Sequence, residues 1–237
     1  MRINVHAGHN PAGKVACGAV GLIQESVEDR RVKDEVISQL RQLGHTVYDC
    51  TVDNGTGQKD VLRKIVQKCR LHEVDLDVSI HFNSGANDKS GNGKTTGVEV
   101  LVYSASSKAK GYAEKVCAAI ARLGFRNRGV KVNSSLYVLK NTKAPAMLVE
   151  CCFVDDKDDV KLYNYYEMAS AIVYGITGEK VSATSETAKA DAGEETNTGN
   201  PKSLYRVQVG AYGVKENAQA MADKLKKAGF DAAIVQA

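Results

Sequence analysis

The sequence predicts an α/β protein whose main domain is an open, mixed and mostly parallel sheet with helices on both faces. Short strand-like segments alternate along the chain with longer segments whose apolar residues recur at helical spacing. In addition, 43% of the residues are apolar and 25% are charged, as in an ordinary globular protein. A stretch of different composition near the C-terminus separates this domain from a small strand–helix–strand piece.

Each element of the main domain is assigned from its local pattern. In the first helix Val32, Val36 and Leu40 recur one turn apart, and Gly44 supplies a C-terminal stop. The polar loop NSGANDKSGNGKTT, between the third and fourth strands, has a length that is usually functional or mobile. The predicted strands are Arg2–Ala7, His45–Cys50, Leu76–Phe82, Gly97–Tyr103, Leu136–Leu139 and Ala146–Phe153, and the predicted helices are a segment starting at Glu25, Gln58–His72, Ser106–Leu123 and Asp156–Ile176.

The stretch Val181–Lys202 is predicted to be a flexible linker. It has no aromatic residue and is rich in Thr, Ala, Glu and Gly, so it cannot bury enough apolar surface to offset the entropy cost of ordering. The predicted organisation is therefore a domain of residues 1–178, a linker of residues 179–203 and a C-terminal piece of residues 204–237.

Composition excludes several classes of partner. The net charge of +4 is mild and not clustered, so no nucleic-acid partner is expected. No apolar run approaches the ~18 residues that a membrane span requires, so no membrane partner is expected. The N-terminus lacks the apolar core of a secretory signal, and we expect the protein to accumulate in the cytoplasm. The six cysteines form no C-x-x-C pair and are expected to be buried, reduced thiols.

Residues able to bind a metal or to move a proton collect at one edge of the predicted sheet. In open α/β sheets, ligands gather at the carboxyl ends of the strands. His9 follows the first strand, and His81 lies at the end of the third. Glu25 lies at the N-terminus of the first long helix, and Glu150 interrupts the apolar strand MLVECCF. These four residues are therefore expected to converge.

This set matches the needs of a catalytic zinc site. Catalytic zinc takes three protein ligands from histidine and carboxylate and leaves a fourth position for water, which then loses a proton near neutral pH. A further carboxylate within reach of that water can accept its proton and return it to a leaving nitrogen. Glu150 suits this role, because a carboxylate in an apolar run is costly to bury without a partner or a function.

Structural roles for these residues remain open from the sequence alone. A strand-end histidine is commonly a hydrogen-bonded structural residue, and an acidic residue such as Glu25 favours a helix N-terminus for electrostatic reasons. Glu150 is equally open to being half of a buried ion pair, and no compact H-E-x-x-H motif is present. A nucleotide-binding protein is disfavoured, because the first strand-to-helix turn has neither G-x-G-x-x-G nor a P-loop lysine pattern.

Six stretches of the main domain carry a family likeness, and in chain order they are GHN, GAVGLIQE, SIHFN, GVEVLVY, NRGVK and APAMLVECCF. Together they resemble the zinc-dependent N-acetylmuramoyl-L-alanine amidases of bacteria and phages, the class of cell-wall autolysins and endolysins. The resemblance implies one zinc ion per catalytic domain, with ligands His9, Glu25 and His81, and a catalytic acid/base at Glu150. It implies hydrolysis of the amide between the lactyl group of N-acetylmuramic acid and the first alanine of the peptidoglycan stem peptide.

The sequence departs from the family at His6, since members commonly carry Asp-Pro-Gly-His where this chain has His-Ala-Gly-His. His6 receives no ligand role; it is either a strand-end side chain, which we favour, or a partner that orients His9. Glu28 is a rival to Glu25, because residues three apart share a helix face. Glu25 is preferred because it follows GLIQ, as in the family.

Two further residues match positions near the family's substrate groove. They are Arg128, in NRGVK, and Asn141, in LKNT. Surface solvation accounts for both equally well, so substrate binding and a solvated surface position both stay open for them.

The C-terminal piece, residues 204–237, contains VQVGAY and resembles the first half of a sporulation-related (SPOR) repeat, a small peptidoglycan-binding module. A piece below ~40 residues usually needs help to fold alone. The alternatives are a truncated module, an unstable tail, or a homodimer in which two copies complete each other across their exposed strand edges.

The favoured function is therefore a zinc amidase that cuts peptidoglycan at the cell wall after release from the cytoplasm. The alternative is a non-catalytic peptidoglycan-binding protein that kept the fold. The enzyme is favoured because all four positions with chemical roles are occupied.

Overall fold

The computed structural model describes residues 1–181, together with Gln219 and Ala222. Within residues 1–181 the strands are β1 (Arg2–Ala7), β2 (Thr46–Asp49), β3 (Leu76–Asn83), β4 (Val98–Val102), β5 (Asn127–Val132) and β6 (Ala146–Phe153). The helices are α1 (Glu25–Gln42), α2 (Gln58–Cys69), α3 (Lys110–Ala121), α4 (Tyr137–Asn141), α5 (Lys157–Leu162) and α6 (Tyr165–Thr177). The strands form one sheet in the order β2-β1-β3-β6-β4-β5, and all neighbours are parallel except β4 and β6. The predicted open, mostly parallel α/β sheet is confirmed.

Helices cover both faces of this sheet. On one face α1, α3 and α6 pack against strand residues such as Ile3, Val78 and Val149 and form the main core. On the other face α2 and α4 form a smaller cluster that includes Val61 and Val138. Because both faces are covered, the central strands β3 and β6 are almost fully buried along their length.

Two predictions for the region after α3 are wrong. Leu136–Leu139, predicted as a strand, contains the start of α4: Leu136 is extended, and the helix begins at Tyr137. A short apolar run does not by itself separate a strand from a helix. Strand β5 was not predicted at all. It is the edge of the sheet and is mostly exposed or half-buried, so it carries no apolar pattern.

The predicted single helix Asp156–Ile176 is two helices, α5 and α6. Between them Tyr163 and Asn164 are extended, and the Asn164 side chain accepts hydrogen bonds from the N–H groups of Tyr166 and Glu167. This is an N-terminal helix cap, which asparagine favours. The local cap therefore interrupts a helical periodicity that continues on both sides of it.

Aspartates that follow β6 hold the long polar loop between β3 and β4. Asp155 accepts hydrogen bonds from the backbone N–H groups of residues 85–87, and the fully buried Asp159 accepts one from Gly97. Asp156 accepts a hydrogen bond from the backbone N–H of Thr96. Asp158 accepts hydrogen bonds from the backbone N–H groups of residues 92–94. The loop is thus tied along its length to the segment that follows the strand carrying Glu150.

A polar stripe runs along the sheet face that α2 covers. The buried Asn4 of β1 donates hydrogen bonds to the Asp77 carboxylate at 2.7 Å and to the Cys69 carbonyl at 3.0 Å. Because successive strand residues point to opposite faces, Asp77, Ser79 and His81 of β3 share this face. The stripe leads from the middle of the sheet to the strand end where His81 lies.

The described residues also bear on the cysteines, on membrane-spanning helices and on the C-terminal piece. All six cysteines are free thiols; five are buried and Cys17 is half-buried. In the described part of the chain, no helix has the length and apolar character needed to cross a bilayer. Gln219 and Ala222 are helical, and the other expectations for residues 182–237, including the dimer, lie outside the described residues.

The buried carboxyl of Asp77 makes stability depend on pH. Burial raises its pKa from 3.8 to about 6, although the hydrogen bond from Asn4 acts in the opposite direction. Between these values the unfolded chain loses a proton that the folded protein keeps, so this carboxyl weakens folding as the pH rises. We expect Asp77→Asn to raise the free energy of unfolding at pH 7 by up to about 3 kcal/mol, measured by urea unfolding from pH 4 to pH 8.

Asp75→Asn is the matched control, because Asp75 is an exposed carboxyl two residues away. We expect the control to keep the pH dependence of the parent. An Asp77→Asn protein with the same pH dependence as the parent would contradict the role assigned to this buried carboxyl.

Candidate metal centre

Three side chains that are far apart in the sequence meet at the carboxyl ends of β1 and β3. His9 follows β1, His81 lies near the end of β3, and Glu25 is the first residue of α1. Glu25 Oε1 is 3.2 Å from His9 Nε2 and 3.1 Å from His81 Nδ1. One donor atom from each residue lies within 4.8 Å of the other two. The structure therefore brings together the three residues that were predicted from the sequence as metal ligands.

Gly8 makes room for the imidazole of His81. A Cβ atom at position 8 would lie 1.9 Å from Cε1 and 2.0 Å from Nε2 of that ring, which no real contact allows. The Gly8 N–H also donates a hydrogen bond to the Ile80 carbonyl at 3.2 Å, so the end of β1 lies directly against β3. Any side chain at this position would therefore displace His81.

Backbone and side-chain donors fix the other two residues. Arg30 of α1 donates from Nη2 to the His9 carbonyl at 2.7 Å. The N–H of Phe82 donates to Glu25 Oε1 at 3.0 Å, and the N–H of Ala19 donates to Glu25 Oε2 at 2.7 Å. These bonds hold both carboxylate oxygens and the backbone of His9 in place.

The charges of the three residues are coupled. Burial alone would raise the pKa of the Glu25 carboxyl, but hydrogen bonds from His81 and His9 hold it well below its usual range. Burial also acts to lower the pKa of His9, yet the hydrogen bond and charge of Glu25 outweigh it and raise that pKa. For His81 burial dominates and lowers the pKa. The two imidazoles therefore favour the carboxylate form of Glu25.

The donor set and its spacing fit a zinc ion. Two atoms bound at 2.0–2.1 Å to one tetrahedral zinc lie roughly 3.3 Å apart, close to the observed separations of 3.2 and 3.1 Å. Without a cation, Glu25 Oε1 would accept from two ring nitrogens and the Phe82 N–H at once. One carboxylate oxygen offers about two lone-pair sites, so a cation accounts for this crowding better than hydrogen bonds alone.

Glu150 lies beside His81 on the neighbouring strand, because the parallel pairing of β3 and β6 places these two residues opposite each other. Its Oε2 atom is buried and has no hydrogen-bond partner among the described residues. Burial, together with the negative charges of Glu25 and Glu99, raises the pKa of Glu150 to about 8. A carboxyl that titrates close to neutral pH can accept a proton and return it.

Glu99 is a neighbour of this centre that was not predicted from the sequence. It lies on β4 opposite Glu150 and accepts hydrogen bonds from Asn83 Nδ2 at 2.9 Å and Arg128 Nε at 2.8 Å. Its signal was the same as that of Glu150, a lone carboxylate within an apolar strand. Glu99 thus adds a third carboxyl group to this edge of the sheet, beside Glu25 and Glu150, and the Arg128 guanidinium pairs with it.

Glu28 and Asn141 make their described side-chain contacts with residues other than the three candidate ligands. Glu28 Oε2 accepts a hydrogen bond from the Tyr163 hydroxyl at 2.9 Å, so Glu25 and not its rival lies with the histidines. Asn141 ends α4, and its Nδ2 donates to the Tyr137 carbonyl at 2.8 Å. The described contacts connect neither residue to the three candidate ligands.

His6 is a fully buried residue of β1. Its Nδ1 is 3.2 Å from the Ala7 carbonyl and 3.5 Å from Ser79 Oγ, and burial lowers its pKa to about 4. None of its contacts in residues 1–181 involves His9. The structure therefore gives His6 no orienting contact with the candidate ligand.

A mainly apolar groove adjoins the two histidines on the α2 and α4 side of the sheet. Apolar walls beside a few polar groups are typical of sites that bury part of an organic ligand and orient one polar bond. The groove is lined by Gly8, His9, Ala16, Gln58, Val61, Leu62, His81, Leu136, Tyr137, Val138 and Leu148.

Comparison with known proteins places this α/β domain in an amidase class. The family model described as N-acetylmuramoyl-L-alanine amidase matches residues 3–178. The chain therefore belongs to the N-acetylmuramoyl-L-alanine amidase family. A second model, the SPOR domain, matches residues 183–236, and this match begins inside the segment predicted as a linker.

Relatives and solved structures agree with this assignment. An uncharacterised protein of Clostridium perfringens is 37% identical over 167 residues, which cover 69% of this chain and 47% of that protein. The N-acetylmuramoyl-L-alanine amidase CwlM of Bacillus licheniformis is 30% identical over 164 residues, 68% of this chain and 57% of CwlM. The chain thus spans about half the length of these curated relatives.

Among solved structures, the catalytic domain of the CD27L endolysin targeting Clostridia difficile matches with a TM-score of 0.67 and 25% identity. The match covers 77% of this chain and 99% of that domain.

We expect Gly8→Ala to weaken the binding of divalent zinc by about 10- to 100-fold, the usual effect of disturbing the support of a metal ligand. The added methyl group would occupy the space of the His81 ring. Competition with a chromophoric chelator measures the affinity. Gly111→Ala in α3 is the control, because its Cβ meets open space. Equal zinc affinity in the Gly8→Ala protein and the parent would show that His81 is not a ligand.

Proposed function

We propose that this protein is a zinc-dependent amidase that cleaves the bond between N-acetylmuramic acid and L-alanine in peptidoglycan. The observation that carries the proposal is the meeting of His9, Glu25 and His81 beside Glu150. Glu150 is half-buried, and its Oε2 atom is buried and has no hydrogen-bond partner among the described residues. Membership of the amidase family and the endolysin catalytic domain among the structural neighbours support the substrate class.

In this proposal His9, Glu25 and His81 hold one zinc ion. When bound, zinc supplies Lewis-acid polarisation of a carbonyl oxygen and makes water acidic enough to lose a proton near neutral pH. Burial lowers the pKa of His81 and so favours its neutral form, which can act as a ligand. Hydrogen bonds from the two histidines keep Glu25 ionised. The apolar groove beside the histidines excludes water from the flanks of the substrate.

Glu150 is the proposed acid/base. Its position opposite His81 in the sheet places the carboxyl next to the ligand cluster, and strand β6 holds it rigidly. It accepts the proton of the attacking water and delivers a proton to the leaving nitrogen of alanine. A pKa raised towards neutrality keeps both protonation states accessible during one turnover.

The alternative, a non-catalytic peptidoglycan-binding protein, leaves Glu150 unexplained. A carboxyl with a buried, unpartnered oxygen is costly in a purely structural role. The SPOR match at residues 183–236 supports a wall-binding function for the C-terminal part, which would hold the catalytic domain near its substrate.

Glu150→Gln is expected to keep the fold and the zinc but to lower the release of stem peptides from purified walls by about 10²- to 10⁴-fold, the usual contribution of a positioned acid/base. The glutamine side chain has nearly the same shape as the glutamate carboxyl, but it cannot accept a proton and return it. Glu114→Gln, an exposed carboxyl on α3, is the control. If the Glu150→Gln protein digests walls at the parental rate, Glu150 is not the acid/base.

The zinc assignment is tested by comparing Glu25→Gln with Glu28→Gln. Both substitutions remove one carboxylate from the first turn of α1, but only Glu25 contacts the histidines. We expect about one zinc per chain in the parent and in Glu28→Gln by elemental analysis, and a large loss in Glu25→Gln. Chelation should abolish activity and added zinc should restore it. Zinc retained by Glu25→Gln but lost by Glu28→Gln would refute the ligand set.

A further inference from the structure

Ionisable side chains form a row across four neighbouring strands at the level of the candidate metal centre. His81 on β3 lies opposite Glu150 on β6, and Glu150 lies opposite Glu99 on β4. Arg128 on the edge strand β5 donates from Nε to Glu99 Oε2 at 2.8 Å and ends the row. The row therefore leads from the reacting centre to a cation at the edge of the sheet.

An irregularity in the sheet places Arg128 in this row. Val98 pairs with Asn127 and Val100 pairs with Val130, so β5 has one residue more than β4 over this interval. Arg128 and Gly129 thus both lie opposite Glu99, and Gly129 has a φ of +78°, which favours glycine. A bulge of this kind bends a strand and redirects its side chains, often next to active sites.

The guanidinium of Arg128 is held on one side and open on the other. Its Nε is bound to Glu99, and its Cζ lies 5.0 Å from the centroid of the Phe153 ring. Within residues 1–181 the two Nη atoms form no hydrogen bond or ion pair with the protein, and the side chain is 31% exposed. Two parallel N–H groups on a fixed guanidinium are the arrangement that binds a carboxylate in bidentate geometry.

We propose that Arg128 binds a carboxylate on the peptide arm of the substrate, an inference that rests on the proposed amidase function. Two strand spacings separate Arg128 from Glu150, about 10 Å. An extended peptide covers that distance in about three residues. The carboxyl group of N-acetylmuramic acid is used up in the amide that is cut. A carboxylate at this distance therefore belongs to the second or third residue of the peptide.

The competing role for Arg128 is only to neutralise Glu99. Both roles predict that loss of Arg128 is harmful, but they differ in how the effect depends on the substrate. Loss of a structural partner affects every substrate equally. Loss of a carboxylate-binding group affects only substrates that carry the carboxylate, and it acts mainly on KM.

The test uses two synthetic N-acetylmuramoyl tripeptides, one with free carboxylates on its second and third residues and one with all of them converted to carboxamides. For Arg128→Gln we expect KM for the carboxylate substrate to rise about 10- to 100-fold, as for loss of a charged hydrogen bond. The kcat/KM for the carboxamide substrate should fall at least about tenfold less than that for the carboxylate substrate, because only the loss of the Glu99 partner acts on it. Arg126 is an exposed arginine two residues away. Arg126→Gln should leave KM and kcat/KM unchanged for both substrates.

An equal loss on both substrates, or no loss on either, would overturn the inference while leaving the amidase function intact. A parent protein that cleaves neither substrate would instead overturn the proposed function and the inference with it. If Arg128→Gln does not fold, judged by its circular dichroism melt, Arg128→Lys takes its place. Lysine keeps the charge beside Glu99 but loses the bidentate geometry, so the carboxylate preference should again fall. An unchanged preference in Arg128→Lys would overturn the inference.

Discussion

One oxygen atom, Oε1 of Glu25, organises the candidate site. It lies within 3.2 Å of a ring nitrogen from each of His9 and His81, and it also accepts the N–H of Phe82. A carboxylate at the first position of α1 thereby joins the ends of two parallel strands. The pKa of this group is held low by the same histidines, so it stays negative throughout the physiological range. A negative oxygen between two imidazoles is the donor arrangement on which the proposed zinc ion depends.

The sheet supplies the rest of the site through its register. Pairing of β3 with β6 sets Glu150 beside His81, and the antiparallel pairing of β4 with β6 sets Glu99 beside Glu150. Neighbouring strands are close to 5 Å apart, so side chains in one row act on one another's charge. The raised pKa of Glu150 follows from burial and, to a smaller extent, from the negative charges of Glu25 and Glu99. The meeting of these side chains is therefore a consequence of strand order, since β3, β6 and β4 contribute His81, Glu150 and Glu99.

The sequence was sufficient for the parts of this arrangement that leave a local signal. The lone carboxylate Glu150 in an apolar strand and the strand-end histidines predicted the cluster, and the open parallel sheet followed from alternating patterns. Glu99 is also a lone carboxylate in an apolar strand, but the sequence does not predict it as a site residue. Its place in the site depends on its pairing with Glu150. That pairing joins strands distant in sequence, and no local pattern encodes it. The edge strand β5 and the helix α4 were missed because an exposed strand has no apolar periodicity and a short apolar run fits either element.

The most direct test of the central claim is X-ray absorption at the zinc edge on the purified full chain. Ligation by Glu25 and the two histidines predicts a first shell of nitrogen and oxygen atoms at about 2.0–2.2 Å, with the outer-shell pattern of two imidazoles. Histidine-to-alanine changes at positions 9 and 81 should each remove part of that pattern. A shell containing sulfur at about 2.3 Å would assign the metal to cysteine, and Glu25 and the two histidines would not be its ligands.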